Sequence, residues 1–400
     1  MHVVLLSHEY PPFIYGGVGT FVGNLAKSLR RRGAKVTVIA GYPIPRQGFV
    51  ESEFGQNGKE KDINVIRFPY LNLSPRQIWF QALNFKTLSK TLEGLNPDVI
   101  HGQSSSTFPL ILHLKKIAPT VVTFHTDPKM ELDLSLYSLT RGGSFVDFRT
   151  YALGYPVWAY GFKKEFEMSD AAVSVSRALM EQLVLNMGAK NQGRSLCIHN
   201  GIDIDALEIE TSHFVSNQEE KEPIILFAGR LFWRKGVLYI VRLAYLLEKK
   251  YKLKLKIVIH GTGPLHNEIK RDILEYGLTN IVLRGFTNRA DLMMDLKKAI
   301  CVVMPSFFEA CPMILLESMC MGKIPVLFDL PYSEELTENG EYGILARNVA
   351  DMAMKINFLA TQSDTRLLEN KIRDFARSKY NVEKTCSEYI KLYKSVANNT

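Results

Sequence analysis

The feature that most limits the fold of this chain is a nearly continuous alternation of short apolar segments with longer amphipathic ones. His2 to Ser7 is an apolar segment of this kind, and the residues from Thr20 to Arg32 that follow it carry apolar side chains at helical spacing. Buried strands that are connected by helical crossovers lie parallel in one sheet, with helices on both faces. The alternation therefore predicts an α/β fold.

The alternation is interrupted once, and the interruption divides the chain. Residues 207–223 are polar, rich in Glu, Ser and Asn, and show no clear period, which is typical of a linker. The 400 residues are enough for two domains with separate cores. We predict two α/β domains, residues 1–205 and 206–381, followed by an amphipathic helix at about 382–400.

The charge of the chain limits the class of partner. The net charge is +8, but the basic residues are dispersed, and no zinc-finger spacing or RNA-binding aromatic motif accompanies them. Nucleic acid is therefore not predicted as a partner. Arg30, Arg31 and Arg32 form one cluster at the predicted end of a helix, where cations interact favourably with the helix dipole. A contact of this cluster with an anionic membrane surface is the alternative hypothesis.

Cysteine usage and hydropathy bear on the compartment. The five cysteines form no CxxC pair, and no apolar segment reaches 18 residues without Gly, Pro or charge. These patterns predict a cytoplasmic protein, with a peripheral position at the inner membrane face as the alternative. Asp203 and Asp205 have the spacing of a metal-binding DxD motif, but turn chemistry explains them better, so no metal site is predicted.

Two carboxylates occupy one predicted strand-to-helix junction. An apolar run ends at Pro305 and Ser306, a short loop presents Glu309, and an apolar helix carries Glu317. Open α/β sheets bind ligands at such junctions, and the start of a helix prefers anions. Two acids beside a helix start suit a ligand with both hydroxyl and phosphate groups, such as a nucleotide sugar.

The first predicted strand leads into a glycine-rich loop with Gly16 and Gly17. Glycines let a ligand approach the backbone, and the helix start after them offers unpaired N–H groups. A dinucleotide fingerprint would need a third glycine where the chain has Val22, and the spacing of a Walker A motif is also missing. His125 follows another apolar strand, so we expect it at the same edge of the sheet, with a structural or a functional role.

The second domain begins with a similar arrangement. Gly229 and Arg230 follow its first strand, and Lys235 lies in the same loop before the next helix. Arg and Lys together can neutralise a diphosphate, Arg through its planar fork and Lys as a point charge. A second glycine-rich loop, Gly261 to Pro264, follows the next predicted strand.

Together these motifs resemble the retaining GT-B glycosyltransferases of family GT4 and, more distantly, glycogen and starch synthases. The resemblance covers nearly the whole chain and rests on the early Gly-Gly loop, His199 to Asp203, Gly229-Arg230 with Lys235-Gly236, Gly261 to Pro264, and the pair Glu309 and Glu317. It implies two Rossmann-like domains with parallel sheets that face each other across a cleft. It also implies that the last helix packs back on the first domain.

The resemblance assigns a role to each motif. Arg230 and Lys235 are expected to hold the donor diphosphate, and Glu317 to bind the ribose hydroxyls. Glu309 is expected to face the transferred sugar, and His125 to close over it from the first domain. These assignments make Arg230, Lys235, Glu309 and His125 the predicted catalytic residues. Further donor contacts are expected from Gly16, Gly17, Gly229, Gly263, Gly285, Phe286, Cys311, Pro312 and Met313.

The predicted activity is a retaining, metal-independent transfer of a sugar from a nucleotide diphosphate sugar, without a cofactor. The acceptor is expected to be a glycan, a lipid-linked molecule or a small molecule, selected through residues 42–54 and 128–155 of the first domain. Three alternatives remain open: a nucleotide-sugar epimerase, a sugar phosphorylase on the same architecture, and a nucleotide-sugar-binding protein without catalysis.

Overall fold

The chain forms two compact units in the structure, which is a computed structural model. The first unit consists of Met1–Leu132, Thr150–Gly201 and Val382–Thr400, and the second of Asp133–Arg149 and Ile202–Asn381. The units therefore interleave along the sequence. The structure describes residues 1–44, 57–60, 62–72, 76–139, 145–188, 195–212, 223–362 and 364–398.

The first unit is built on an eight-stranded sheet. Its strands are β1 (His2–Ser7), β2 (Lys35–Ile44), β3 (Asn57–Glu60), β4 (Ile63–Leu71), β5 (Val99–Gln103), β6 (Thr120–Phe124), β7 (Ala171–Ser174) and β8 (Ser195–Cys197). They lie in the order β3-β4-β2-β1-β5-β6-β7-β8, and all are parallel except β3, which runs antiparallel to β4. The helices in this part of the chain are α1 (Gly17–Arg31), α2 (Arg76–Leu95), α3 (Ile111–Leu114), α4 (Pro128–Leu139), α5 (Phe145–Met168) and α6 (Arg177–Met187).

The second unit contains a six-stranded parallel sheet. Its strands are β9 (Ile224–Ala228), β10 (Lys256–His260), β11 (Ile281–Gly285), β12 (Ala299–Met304), β13 (Ile324–Phe328) and β14 (Ile344–Ala346), in the order β11-β10-β9-β12-β13-β14. Its helices are α7 (Ile204–Ser212), α8 (Val237–Tyr245), α9 (His266–Glu275), α10 (Arg289–Lys298), α11 (Met313–Cys320), α12 (Pro331–Thr337), α13 (Val349–Thr361) and α14 (Arg366–Lys379). The predicted α/β class with parallel sheets is confirmed.

Several strands of the two sheets are buried on both faces. Every residue of β1, β5, β6, β7 and β13 is buried. A strand of this kind needs cover on both faces, which helical crossovers supply. None of the described helices combines the length and the apolarity that crossing a bilayer requires.

The predicted linker is wrong in its first part. Helix α7 extends to Ser212, and its Leu207 is buried in the second unit, whereas Ile209 is exposed. Residues 213–222 lie outside the described part of the chain.

The last helix, α15 (Val382–Asn398), belongs to the first unit. Its residues Tyr389 and Tyr393 are fully buried. Near its start, Glu383 Oε1 accepts a hydrogen bond from Arg31 Nη2 at 2.7 Å, and its Oε2 accepts one from Arg32 Nε at 2.9 Å. Two members of the predicted basic cluster thus hold the last helix against the end of α1.

Candidate active site

The order of the strands in the second sheet defines the point at which the loops at its carboxyl edge diverge. In the second unit the chain moves from β9 outward to β10 and β11, and then returns to the other side of β9 with β12. A crevice opens outside the carboxyl ends of the strands at such a switch point, and ligands of open α/β sheets bind there. The loops after β9 and β12 flank this point, and they carry Arg230, Lys235 and Glu309.

The loops after β9 and β10 are in backbone contact, and a glycine makes the contact possible. The Gly229 N–H donates to the His260 carbonyl at 2.9 Å, and the Leu231 N–H donates to the Thr262 carbonyl at 3.0 Å. Gly261 has a φ of +137°, and a Cβ at this position would lie 1.9 Å from the Gly229 carbonyl oxygen. A larger residue at position 261 would therefore push the two loops apart.

The loop after β9 also packs closely on the loop after β12. Gly236 has a φ of +66°, and a Cβ there would lie 1.8 Å from the Pro305 carbonyl oxygen. The Phe307 N–H donates to the Arg234 carbonyl at 2.9 Å, and the rings of Trp233 and Phe307 stack with centroids 4.4 Å apart. These contacts fix the two loops relative to each other.

An ion pair joins two of the predicted catalytic residues at this junction. Lys235 Nζ lies 2.5 Å from Glu309 Oε1, and the Glu309 side chain is buried. Arg230 lies in the same loop as Lys235, is exposed, and places its guanidinium carbon 4.2 Å from the centre of the Phe232 ring. The structure thus brings a paired cation, a carboxylate and an exposed guanidinium to the switch point.

Glu317 has a partner that the sequence did not indicate. Both carboxylate oxygens of this buried residue face the guanidinium of Arg289, at 2.9 Å and 2.8 Å. Arg289 Nε also donates to Glu210 Oε1 at 2.9 Å. Arg289 begins α10, a few residues beyond the loop that the resemblance assigned to the base. A basic residue at that helix start was the available signal, whereas nothing near Glu210 in sequence pointed to the site.

Burial and charge act against each other in this cluster. Burial raises the pKa of the Glu317 carboxyl, and the guanidinium of Arg289 opposes the rise. Burial also disfavours the charge on Arg289, but Glu317 and Glu210 outweigh it and raise the pKa of the guanidinium above its usual value. Arg289 is therefore the group that favours the charged form of Glu317 against the effect of burial.

The other residues predicted on the donor side surround the same edge. Gly285 ends β11 with a φ of +71°, and its carbonyl accepts the Gly261 N–H at 2.7 Å. Phe286 follows and is 85% exposed. At the start of α11, Pro312 is the N-cap residue, and its neighbours Cys311 and Met313 are buried. Gly263 packs on the Leu231 backbone, where a Cβ would lie 2.6 Å from the carbonyl oxygen.

In the first unit, the carboxylate of Glu9 is hydrogen-bonded to the backbone of the predicted glycine loop. Glu9 Oε2 accepts the N–H groups of Gly16 at 3.1 Å and Tyr15 at 3.2 Å. Burial alone would raise the pKa of Glu9, but His8 and these N–H groups outweigh it and lower the pKa. Gly17 is exposed at the start of α1. Glu9 was not among the predicted site residues, and its proximity to the loop in sequence was the available signal.

His125 lies directly after β6, at the carboxyl edge of the first sheet, as predicted. Its Nε2 lies 2.7 Å from Gln103 Oε1, and its ring meets the Phe21 ring edge-on at 5.3 Å. Burial lowers its pKa to about 4, with a smaller raising contribution from Glu9. The imidazole is therefore neutral at physiological pH.

The first unit contains a cavity of about 190 Å³ next to this edge. Its lining includes Tyr155 and Tyr160 from α5, the lysines Lys129 and Lys163, and the buried Asp127. Part of the region predicted to select the acceptor, 128–155, thus borders the cavity, although residues 140–144 lie outside the described part of the chain. Of the other predicted region, residues 42–44 end β2, and 45–54 are likewise not described.

Comparison with known proteins identifies the family. Residues 15–206 match the profile described as Glycosyltransferase Family 4, and residues 208–379 match the one described as Glycosyl transferases group 1. The two matches are adjacent and together span nearly the whole chain. The chain belongs to the GT4-type glycosyltransferases.

Individual relatives agree with this assignment. The GT4-type chain is 26% identical over 411 residues to an uncharacterised glycosyltransferase of Methanocaldococcus jannaschii, with 98% of both chains covered. It is 24% identical over 417 residues, with both chains fully covered, to the N,N'-diacetylbacillosaminyl-diphospho-undecaprenol alpha-1,3-N-acetylgalactosaminyltransferase of Campylobacter jejuni. Among solved structures, sucrose-phosphate synthase from Thermosynechococcus elongatus superposes with a TM-score of 0.75 at 19% identity over 100% of both chains.

The family matches establish the type of fold and the general activity of the protein. The predicted fold, with two Rossmann-like units of the GT-B type, and the predicted membership of GT4 are both confirmed. The protein is a glycosyltransferase that uses nucleotide sugars.

Proposed function

We propose that this glycosyltransferase transfers a sugar from a nucleotide diphosphate sugar to a glycan or lipid-linked acceptor, with retention of the anomeric configuration and without a metal ion. The observation that carries the proposal is the arrangement of Arg230, Lys235 and Glu309 at the switch point of the second sheet.

The two cations suit the leaving diphosphate. Negative charge grows on the phosphate as the glycosidic bond breaks, and fixed cations stabilise it more in that state than before. Arg230 presents an exposed fork of N–H donors. Lys235 places its ammonium group at the same point, where it pairs with Glu309 and its positive charge can act on a phosphate oxygen. These groups supply the stabilisation for which other enzymes use a bound cation.

The state of the carboxylates supports a front-face reaction. Retention by double displacement needs a carboxylate that is available as a nucleophile. Here Lys235 pairs with Glu309 Oε1, and Arg289 pairs with both oxygens of Glu317, so each carboxylate is a weaker nucleophile although it can still accept a hydrogen bond. In the front-face alternative, the acceptor oxygen bonds to the anomeric carbon while the bond from that carbon to the phosphate oxygen breaks. The acceptor proton then passes to the leaving phosphate.

The carboxylates and His125 have positioning roles in this scheme. Each oxygen of Glu317 has a second lone pair that Arg289 leaves open for a ribose hydroxyl. Glu309 orients the sugar and also Lys235. In this scheme the base binds beside the exposed Phe286 and the backbone of Gly285 at the end of β11.

A saccharide linked to a lipid diphosphate is the acceptor class we favour. The name of the Campylobacter jejuni relative describes transfer onto such a molecule. The cavity of the first unit combines Tyr155 and Tyr160, which suit sugar rings, with Lys129 and Lys163, which suit phosphate.

Donor binding tests the first half of the proposal. UDP-, GDP- and ADP-sugars are added to the wild-type protein, and the melting temperature is measured, since a ligand that binds the folded state raises it. The matched control is Arg230→Ala, whose side chain is exposed. One donor should raise the melting temperature of the wild type and raise that of the variant less. Equal shifts would remove Arg230 from the donor site.

Transfer assays test the second half. The bound donor is incubated with a polyprenyl-diphosphate-linked saccharide or with a free oligosaccharide, with and without EDTA, and the anomeric configuration of the product is read by NMR. An inverted product, or loss of activity in EDTA that added metal restores, would contradict the proposal. A changed nucleotide sugar in the absence of acceptor would instead indicate an epimerase, and turnover that needs inorganic phosphate would indicate a phosphorylase.

A further inference from the structure

A chain of buried polar groups runs from His125 into the core of the first unit. Gln103 and His101 lie on β5, and both are fully buried. Gln103 Oε1 lies 2.7 Å from His125 Nε2, and Gln103 Nε2 lies 3.5 Å from His101 Nε2. His101 Nδ1 lies 2.6 Å from the hydroxyl of Tyr393 on the last helix.

The amide of Gln103 gives the chain a direction. Its oxygen carries no proton, so His125 Nε2 must carry the proton of their hydrogen bond. Its NH₂ group faces His101 Nε2, which can accept this hydrogen bond when the His101 proton is on Nδ1, the nitrogen beside the Tyr393 hydroxyl. Thr123 Oγ1 lies 2.7 Å from the same Nε2 atom. In this arrangement the contacts of Gln103 with both histidines pair a donor with an acceptor.

This series of buried polar groups leaves one ring nitrogen of His125 for other partners. A neutral imidazole with its proton on Nε2 has a lone pair on Nδ1. Within the described part of the chain, no hydrogen bond involves this atom. His125 lies at the carboxyl edge of the sheet, where the resemblance places the donor sugar.

We propose that Gln103 is a positioning residue that holds His125 in the neutral Nε2–H form and thereby presents Nδ1 as a hydrogen-bond acceptor for a substrate hydroxyl. This inference rests on the proposed function for the role of His125, but the tautomer itself does not depend on that function. In this state His125 accepts a hydrogen bond and does not act as an acid.

The titratable groups named by the electrostatics of His125 and His101 come from two elements. His101 lies on the neighbouring β5, and His8 and Glu9 lie in the loop after β1. Burial makes the largest contribution and lowers the pKa of His125; Glu9 opposes it, and His8 acts in the same direction as burial. Phe21 of α1 covers another side of the ring. The neutral state thus has support beyond the single hydrogen bond, whereas the choice between the two neutral tautomers rests on Gln103.

The first test uses the wild-type protein without any substrate. The protein is labelled with ¹⁵N-histidine, and long-range ¹H–¹⁵N correlations report which ring nitrogen carries the proton. The chain has nine histidines, so a His125→Gln sample assigns the signals. We expect His125 to show a protonated Nε2 and a bare Nδ1 from pH 8 down to about pH 5. A proton on Nδ1, or an imidazolium at pH 7, would overturn the proposal whatever the activity.

Three variants test the role of Gln103. Gln103→Glu places a carboxylate beside Nε2 and should raise the pKa of His125 by about 1–3 units, as an adjacent opposite charge does. Gln103→Met keeps a similar volume without the acceptor and should give a mixture of tautomers. Tyr393→Phe is the matched control, since it removes a hydroxyl from the far end of the chain and should leave His125 in the Nε2–H form. A pure Nε2–H tautomer in Gln103→Met would show that Gln103 does not select it.

The transfer rate separates positioning from a merely structural effect. For Gln103→Glu we expect the rate to fall more than tenfold below the new pKa of His125 and to recover above it, because the imidazolium has no free lone pair. A purely structural role would lower the rate equally at every pH, and that result would overturn the positioning role. If no donor and acceptor pair reacts at all, the proposed function fails, while the tautomer measurement still decides whether Gln103 sets the state of His125.

Discussion

The ion pair between Lys235 and Glu309 has two roles that substitution can separate. Lys235→Met removes the ammonium group and leaves the Glu309 carboxylate buried without its cation. Adding Glu309→Gln to the same chain removes that charge as well and replaces it with a neutral group of the same shape. The single variant should therefore lose both stability and activity, and the double variant should regain only the stability.

The size of the stability effect follows from the burial of the pair. The two side chains are 18% and 6% exposed, and their atoms are 2.5 Å apart. Removing one partner of a buried pair costs about 3–5 kcal/mol, whereas removing both is often close to neutral. Because Lys235 retains some contact with water, we expect about 3 kcal/mol for Lys235→Met. This loss corresponds to a melting temperature about 6–12 °C lower in a unit of roughly 150–250 residues.

The size of the rate effect follows from the proposed chemistry. A lost donor to a developing anion lowers kcat by about 100- to 1000-fold. Both Lys235→Met and the double variant lack the ammonium group, so both should show this loss.

Two measurements check the argument. Thermal unfolding of the wild type and the two variants gives the stability order, and transfer assays at saturating donor give kcat. If the double variant remains as unstable as the single one, the buried charge is not the cause of the instability. If the double variant regains the wild-type rate, Lys235 does not stabilise the leaving group.

Three further predictions use other residues. Arg230→Ala should lower the transfer rate about 100-fold while changing the free energy of unfolding by less than about 0.5 kcal/mol, since the side chain is exposed, and urea unfolding would check this. Arg289→Met should raise the pKa of Glu317 further and weaken nucleotide binding, because a buried carboxyl without its cation takes up a proton. Calorimetric titration of this variant at pH 6 and pH 8 should show weaker binding at the lower pH. Unchanged affinity would contradict the role of Arg289 in keeping Glu317 charged. Burial lowers the pKa of His101 to about 3, so the unfolded chain binds a proton below about pH 6.5 that the folded chain does not, and stability should fall as the pH decreases from there by up to about 1.4 kcal/mol per unit. Replacing this residue with Gln should reduce the slope of urea stability against pH by about one proton, and an unchanged slope would argue against a neutral buried His101.

Local pattern was sufficient to predict the elements and the loops that carry the site. The strand His2–Ser7 has the bounds that its apolar run predicted, and the carboxyl edge of the second sheet carries Arg230, Lys235 and Glu309 as expected. Each of these predictions depends on residues that are close in sequence. The predicted linker failed where a short amphipathic segment, Ile204–Ser212, is stabilised by packing that its own sequence does not display.

The partners of the site residues could not be predicted in this way. Glu317 depends on Arg289, which is 28 residues away, and Arg289 also binds Glu210, which is 79 residues away. The Gly16 N–H donates to the carboxylate of Glu9, and the amide beside His125 is that of Gln103 on another strand. Ion pairs and buried hydrogen bonds leave no periodic pattern in the sequence. The sequence alone does not distinguish a polar residue that becomes buried and paired from one that stays exposed.

The sequence by itself determined the α/β class, the two-unit architecture and the loops that carry charge, because burial on both faces of a strand and helical spacing are local properties. Only the tertiary structure decided the order of the strands, and with it the switch point between β9 and β12. That order depends on pairing between distant segments. Because this order makes β9 and β12 neighbours, the loops that follow them are adjacent. Lys235 and Glu309 were predicted to bind different parts of the donor, and they are therefore hydrogen-bonded to each other.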